Sequence, residues 1–225
     1  MALNVGTKSS GNGNRVEQKP VDPGVYPSRI VQLIDLGLQA QRPYKGVDKP
    51  PANEIMISYE LVDEFIVDEK GVAQEDKPRW ISETLPVYPI DKDKAKSTQR
   101  YLAIDPNAIH KGDFSKILNE PCNVALVHNK VGDKLYVNVA SIAAMRQKDE
   151  DKCPPLKNPA KLFDLDSPDV EIFNSLPQWV QDKIKGNLNY NNSKLQAILN
   201  NKPIPKEEKE APPNEEEQGN DNPWD

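Results

Sequence analysis

Apolar and polar residues alternate with a period of two in several stretches of this chain, the spacing of strands buried on one face. The first, Val25 to Leu38, is β-branched and aliphatic, and Gly37 near its end predicts a bulge or sharp bend. From Glu54 to Phe65, Ile55, Ile57, Tyr59 and Leu61 alternate with Met56, Ser58, Glu60 and Val62, which predicts a second strand. A third runs from Arg79 to Val87, with Ile81, Glu83 and Leu85 on one face and Trp80, Ser82 and Thr84 on the other, and is ended by Pro86 and Pro89. Then the period changes: Asp91 to Ile104 has acidic residues in its first turn and Ala95, Gln99 and Leu102 at helical spacing, with Pro106 as the stop. Two more alternating runs, Cys122 to Asn129 and Lys134 to Met145, are joined by Lys130-Val-Gly-Asp133, a hairpin turn in which Gly132 and Asp133 tolerate positive φ.

The order strand, strand, strand, helix, strand, strand is the plan of an OB fold, a mainly β, five-stranded Greek-key barrel with one helix between the third and fourth strands. A generic β-sandwich is the competing architecture. After Met145 come a charged link, Cys153-Pro-Pro155 and Pro159, then short helical segments. Ser167 or Asp169 can cap a turn through Phe173, Pro177 can open a helix carrying Trp179, Val180 and Ile184, and Ser193 can open another through Leu195, Ile198 and Leu199. Phe163, Phe173 and Trp179 are expected to pack on the barrel. The expected organisation is a disordered arm at 1–23, an OB-like barrel at 24–148, a helical appendage at 149–202 and a disordered acidic tail at 203–225.

Composition supports flexible ends, because only 36% of residues are hydrophobic and 21 are proline. The net charge of −6 is unevenly placed: eight acidic residues but only Lys206 and Lys209 lie between 206 and 225, so the tail carries the whole excess and the rest is neutral. No apolar run is long enough for a membrane span, and Met1 to Arg15 lacks the apolar stretch of a signal peptide, so a cytoplasmic protein is expected. Cys122 and Cys153, outside any CxxC pairing, read as unpaired thiols.

Enzymatic readings find little support. His110 and His128 are the only histidines and sit in no zinc-binding spacing; Gly11-Asn-Gly13 is not placed between a strand and a helix as a phosphate loop would be. The paired carboxylates Asp63-Glu64 and Asp149-Glu150-Asp151 read as solvated surface. No catalytic residue, metal or cofactor is expected.

Binding to a single strand needs cations that follow the phosphates and flat side chains on which bases stack. An OB barrel takes such ligands across its second and third strands and between its first and last hairpin loops. The first connection supplies Arg42, Tyr44, Lys45 and Lys49, the third strand opens with Arg79-Trp80, and the last hairpin supplies Lys130, Lys134 and Tyr136. Burial of Leu135, Val137 and Val139 is expected to turn Tyr136 outward. Trp80 and Tyr59 fit a core position as well as a stacking one, and Lys92, Lys94, Lys96 and Arg100 form a basic helix surface that Asp91 and Asp93 blunt.

The chain ends Asn222-Pro223-Trp224-Asp225, placing an indole in an acidic block with no core nearby. In this it resembles phage and bacterial single-stranded DNA-binding proteins, whose acidic tails end in an aromatic or apolar tip that recruits replication and repair enzymes and competes with DNA for the barrel. The resemblance implies a docking role for Trp224 with Asp221 and Asp225; it departs from the bacterial pattern, where Phe is last, by placing Asp225 after Trp224. The strings Val25-Tyr-Pro-Ser-Arg-Ile-Val-Gln-Leu-Ile-Asp35, Tyr59-Glu-Leu-Val-Asp-Glu64 and Arg79-Trp-Ile-Ser82 are also similar to small tailed-phage proteins of the replication region regarded as single-stranded DNA-binding proteins. What this implies is sequence-tolerant binding of single-stranded DNA during phage replication or recombination in the host cytoplasm, with partners recruited by the tail and a homo-oligomer left open. The alternative is a non-enzymatic interaction or assembly factor on the same barrel with no nucleic-acid ligand.

Overall fold

The computed structural model describes residues 18–43 and 45–203 of the 225. The chain is mainly β, with strands β1 (Gly24–Gln39), β2 (Ala52–Val67), β3 (Ala73–Pro86), β4 (Pro121–Val131), β5 (Lys134–Ala144) and β6 (Lys161–Phe163) in one open six-stranded sheet. Five strands run antiparallel in the order β3-β2-β1-β4-β5, and β6 adds to β1 in parallel.

β1 is the shared strand. One of its edges pairs with β2 from Ser28↔Leu61 to Gln39↔Ala52; the other takes β4 along Gly24 to Arg29 and then β6 along Gln32 to Ile34. Register shifts at Ile30/Gln32 and Asp35/Gly37 mark irregularities that bend and twist such a strand. The bulge foreseen at Gly37 is the second of these: its φ is +74°, and its N–H donates to Asp35 Oδ1 at 2.8 Å. A Cβ there would lie 2.8 Å from Asn187 Cγ and 2.9 Å from Leu165 Cδ1, so both backbone and packing require glycine.

The alternation seen in the sequence sorts the sheet into two cores. Ile30, Leu33, Ile57, Tyr59, Leu61, Leu85, Val124, Leu126 and Ile142 pack with Tyr101 and Ile117. A second core sets Ile34, Leu36 and Met56 of the sheet against Phe163, Phe173, Val180, Ile184 and Leu195. Each such side chain contributes about 1.5–3 kcal/mol relative to exposure. The C-terminal segment is therefore bound to the sheet by β6 and by its own hydrophobic core. Its helices begin as the caps predict, Asp169 accepting from Glu171 N and Ile172 N before α3 (Val170–Ser175) and Ser193 from Gln196 N before α5 (Lys194–Leu199). β6 was not foreseen, since three residues after a proline carry no period. The four-residue α2 (Gln147–Glu150) also lies in this region.

β3 and β5 approach each other but form no hydrogen-bonded ladder among the described residues. Arg100, on α1 (Lys96–Ile104), fills this gap. Its guanidinium pairs with Glu83 of β3 at 2.8 and 3.1 Å and donates to the Val139 and Ala140 carbonyls of β5 at 3.3 Å. Only 3% of the Arg100 side chain is exposed, which corrects its expected place on a basic surface: the Glu83 carboxylate pairs its charge and the strand carbonyls accept from its Nη2.

Three other expectations are corrected. The helix begins at Lys96 rather than Asp91, because Lys92 N bonds to Pro89 O and Ala95 N to Lys92 O in successive turns. Trp179, on α4 (Gln178–Lys185), is 58% exposed, since Val180 and Ile184 are the residues of that helix that face the core. The end of the expected N-terminal arm is fastened down: Gln18 exchanges two hydrogen bonds with Val67, and Val21 is buried in the first core.

Candidate nucleic-acid interface

The β4–β5 hairpin closes on the two-residue turn that Gly132 allows, its φ being +59°. β1 pairs only as far as Leu126, so the hairpin from Val127 to Asn138 projects past the end of the shared strand. Cross-strand pairs Val127↔Asn138, Asn129↔Tyr136 and Val131↔Lys134 occupy alternate rungs, which puts these six side chains on one face. That face holds an aromatic ring 47% exposed, two exposed valines, two amides and an ammonium. Leu135 and Lys130 pair on the other face, and Leu135 is exposed rather than buried as expected, because at the tip no third strand lies beneath it. Tyr136 is exposed as expected, opposite the face that buries Val139, although Leu135 beside it is equally exposed.

Arg79 and Trp80 are held differently. The Arg79 guanidinium donates to the Lys19 carbonyl at 2.7 Å, tying the chain before β1 to β3, while His128 Nε2 lies 2.8 Å from the Val21 carbonyl on the β4 side. Trp80 Nε1 donates to Glu60 Oε2 at 3.1 Å across the β2–β3 ladder. Glu60 is 1% exposed and also accepts from Lys157 N, Asn158 N and Asn158 Nδ2, so it fastens the C-terminal segment to the sheet. Trp80 is half-buried in that arrangement. Tyr59 is core: its ring is fully buried and its hydroxyl donates to Glu83 at 2.9 Å, and burial beside this carboxylate drives its pKa well up.

Arg42, Lys45 and Lys49 are exposed in the β1–β2 connection, and Tyr44 lies outside the described residues. This connection leaves the Gln39 end of β1, whereas the β4–β5 hairpin passes the Gly24 end. The predicted cations are thus at two opposite ends of the shared strand, with Arg79, Lys130 and Lys134 beside Tyr136 at one and Arg42, Lys45 and Lys49 at the other. The tail residues Asp221, Trp224 and Asp225 lie outside the described residues.

The sequence reading missed Tyr88. The pair Glu54↔Pro86 brings the end of β3 to the start of β2, so the connection after β3 emerges at the same end as the β1–β2 loop. It carries Tyr88, 42% exposed, with exposed Lys92, Lys94 and Lys96, although Asp91 lies 3.3 Å from Lys92. An aromatic just past a strand end and followed by lysines was the available signal. Among the described residues no cluster of three metal-ligating side chains occurs, and no helix is long and apolar enough to cross a membrane.

No protein-family model matches this chain, and no curated protein matches it.

Proposed function

We propose that this chain binds single-stranded DNA without regard to sequence, in phage replication or recombination, on a sheet that works as an OB-like barrel. The observation that carries the reading is Tyr136, exposed on a projecting hairpin with Lys134 on the same face. A π-face for stacking and an ammonium for phosphate are the two requirements of sequence-tolerant binding. Arg42, Lys45 and Lys49 at the far end of β1 give a strand that crosses the sheet a second electrostatic anchor. The proposed activity is binding rather than catalysis. The tail, with its charge of −6, competes with phosphate when free and recruits replication or recombination proteins through Trp224, Asp221 and Asp225.

Fluorescence titration of Tyr136→Ala tests the stacking role. A stacked base is worth about 1–3 kcal/mol, so the affinity for oligo-dT falls roughly five- to hundredfold with the far-UV spectrum unchanged. Unaltered affinity rejects Tyr136 as the stacking residue.

A second reading draws on the same hairpin. Val127 and Val131 are exposed on the same face as Tyr136, a pattern that also suits a protein-binding surface. Partners whose capture survives nuclease treatment, from a chain that binds no oligonucleotide, favour an interaction factor.

A further inference from the structure

A cleft among the described residues lies away from the hairpin. It has a volume of about 610 Å³ and runs between the Gln39 end of β1, the start of β2, the loop after β6 at Leu165 and Asp166, and the loop from Asn187 to Ser193 that leads into α5. A smaller cleft of about 160 Å³ shares Asp35 and Ile55 with it and extends along β6 toward the 3-10 turn at Phe114–Ile117. Together they form an elongated groove with two distinct parts. The floor is apolar, from Leu33, Ile55, Val87, Leu162 and Leu165. Among the described residues lining it, the ionic groups are Asp35, Asp113, Asp164, Asp166 and Lys194.

Lys194 donates to the Asp166 main-chain carbonyl at 3.0 Å. Desolvation, with Asp164 and Asp166 nearby, raises the Asp35 pKa above its ordinary value. Phosphate is repelled by such a rim, so the groove is not an extension of a DNA surface. The carboxamides of Asn53, Asn189 and Asn192 add groups that pair equally well with peptide N–H and C=O.

We propose that this groove receives an extended basic polypeptide segment of a partner protein, in which lysine or arginine alternates with apolar side chains. Apolar side chains cover the floor, and the cations meet the four carboxylates. The complementarity fixes the sign of the partner. The chain's own 206–225 segment, being acidic, is excluded. The inference stands independently of DNA binding.

The test is NMR titration of the full chain with a synthetic Leu-Lys repeat hexapeptide, beside a Leu-Glu repeat, spermidine and oligo-dT. The expected result is saturable binding of the Leu-Lys peptide that shifts the amides of Asp35, Asn187 and Asn192. In Asp35→Asn/Asp164→Asn/Asp166→Asn, where each side chain keeps an acceptor oxygen, binding of that peptide weakens about tenfold or more while oligo-dT affinity is unchanged. Leu162→Lys, at a position already 39% exposed, weakens it likewise and serves if the triple variant does not fold. Four outcomes overturn the proposal: no shifts at millimolar Leu-Lys peptide, equal binding by both variants, equal binding of the Leu-Glu peptide, or displacement by equimolar spermidine. Oligo-dT shifting the same amides overturns it too, by making the groove a DNA site.

Discussion

Single side chains in this protein divide by what their polar atoms touch. Trp80 and Tyr136 are both aromatic residues on strands beside cations; alternation turned Tyr136 outward but left Trp80 open between core and stacking. The difference is Glu60, a buried carboxylate brought under the indole by a strand pairing and met there by Lys157 and Asn158, almost a hundred positions away. Trp80→Phe is therefore expected to cost about 1–3 kcal/mol of stability, read as a lower urea midpoint, because it leaves a buried acceptor short of a donor; oligo-dT affinity changes little. Arg100 follows the same logic more strongly. Arg100→Met takes away the ionic partner of Glu83, leaving the Tyr59 hydroxyl as its donor, and removes a donor from two β5 carbonyls; it is expected to cost about 3–5 kcal/mol in the same assay. A loss below 1 kcal/mol in either variant contradicts the role given to that residue. Long-range partners of this kind are invisible to a reading based on local period.

Elements were far more legible than partners. The five long strands appear where alternation placed them, because one face of each is buried and a slip of one residue would expose it. Their ends were underestimated: β3 begins at Ala73, where Gln-Glu-Asp-Lys carries no apolar alternation and β2 supplies the pairing instead. β6 and the fastening of residues 18–23 were hidden for the same reason, each being a short stretch held by tertiary contacts. Gly37 is the case where one letter sufficed. Gly37→Ala is expected to destabilise by about 1–3 kcal/mol, since it combines strain at positive φ with a clash against Asn187 and Leu165, and thermal unfolding measures it. An unchanged melting temperature would mean the bulge can be rebuilt without glycine.

Over the whole molecule, charge is arranged more sharply than the overall −6 suggests. Cations of the candidate DNA surface gather at the two ends of β1, while an acidic, apolar-floored groove lies between the sheet and the C-terminal segment. The candidate cations could be named from the sequence, but their separation required the strand register. The acidic groove could not be read at all, because its four carboxylates come from three distant stretches of chain. Removing residues 206–225 takes away a competing charge of −6 and is expected to tighten oligo-dT binding, most at low salt; an unchanged affinity rejects competition. The most direct test of DNA binding itself is fluorescence titration of the full chain with oligo-dT over a series of salt concentrations. The account predicts saturable quenching and an affinity that falls linearly with salt on logarithmic axes, as counterion release requires. No binding by micromolar protein at low salt would contradict it.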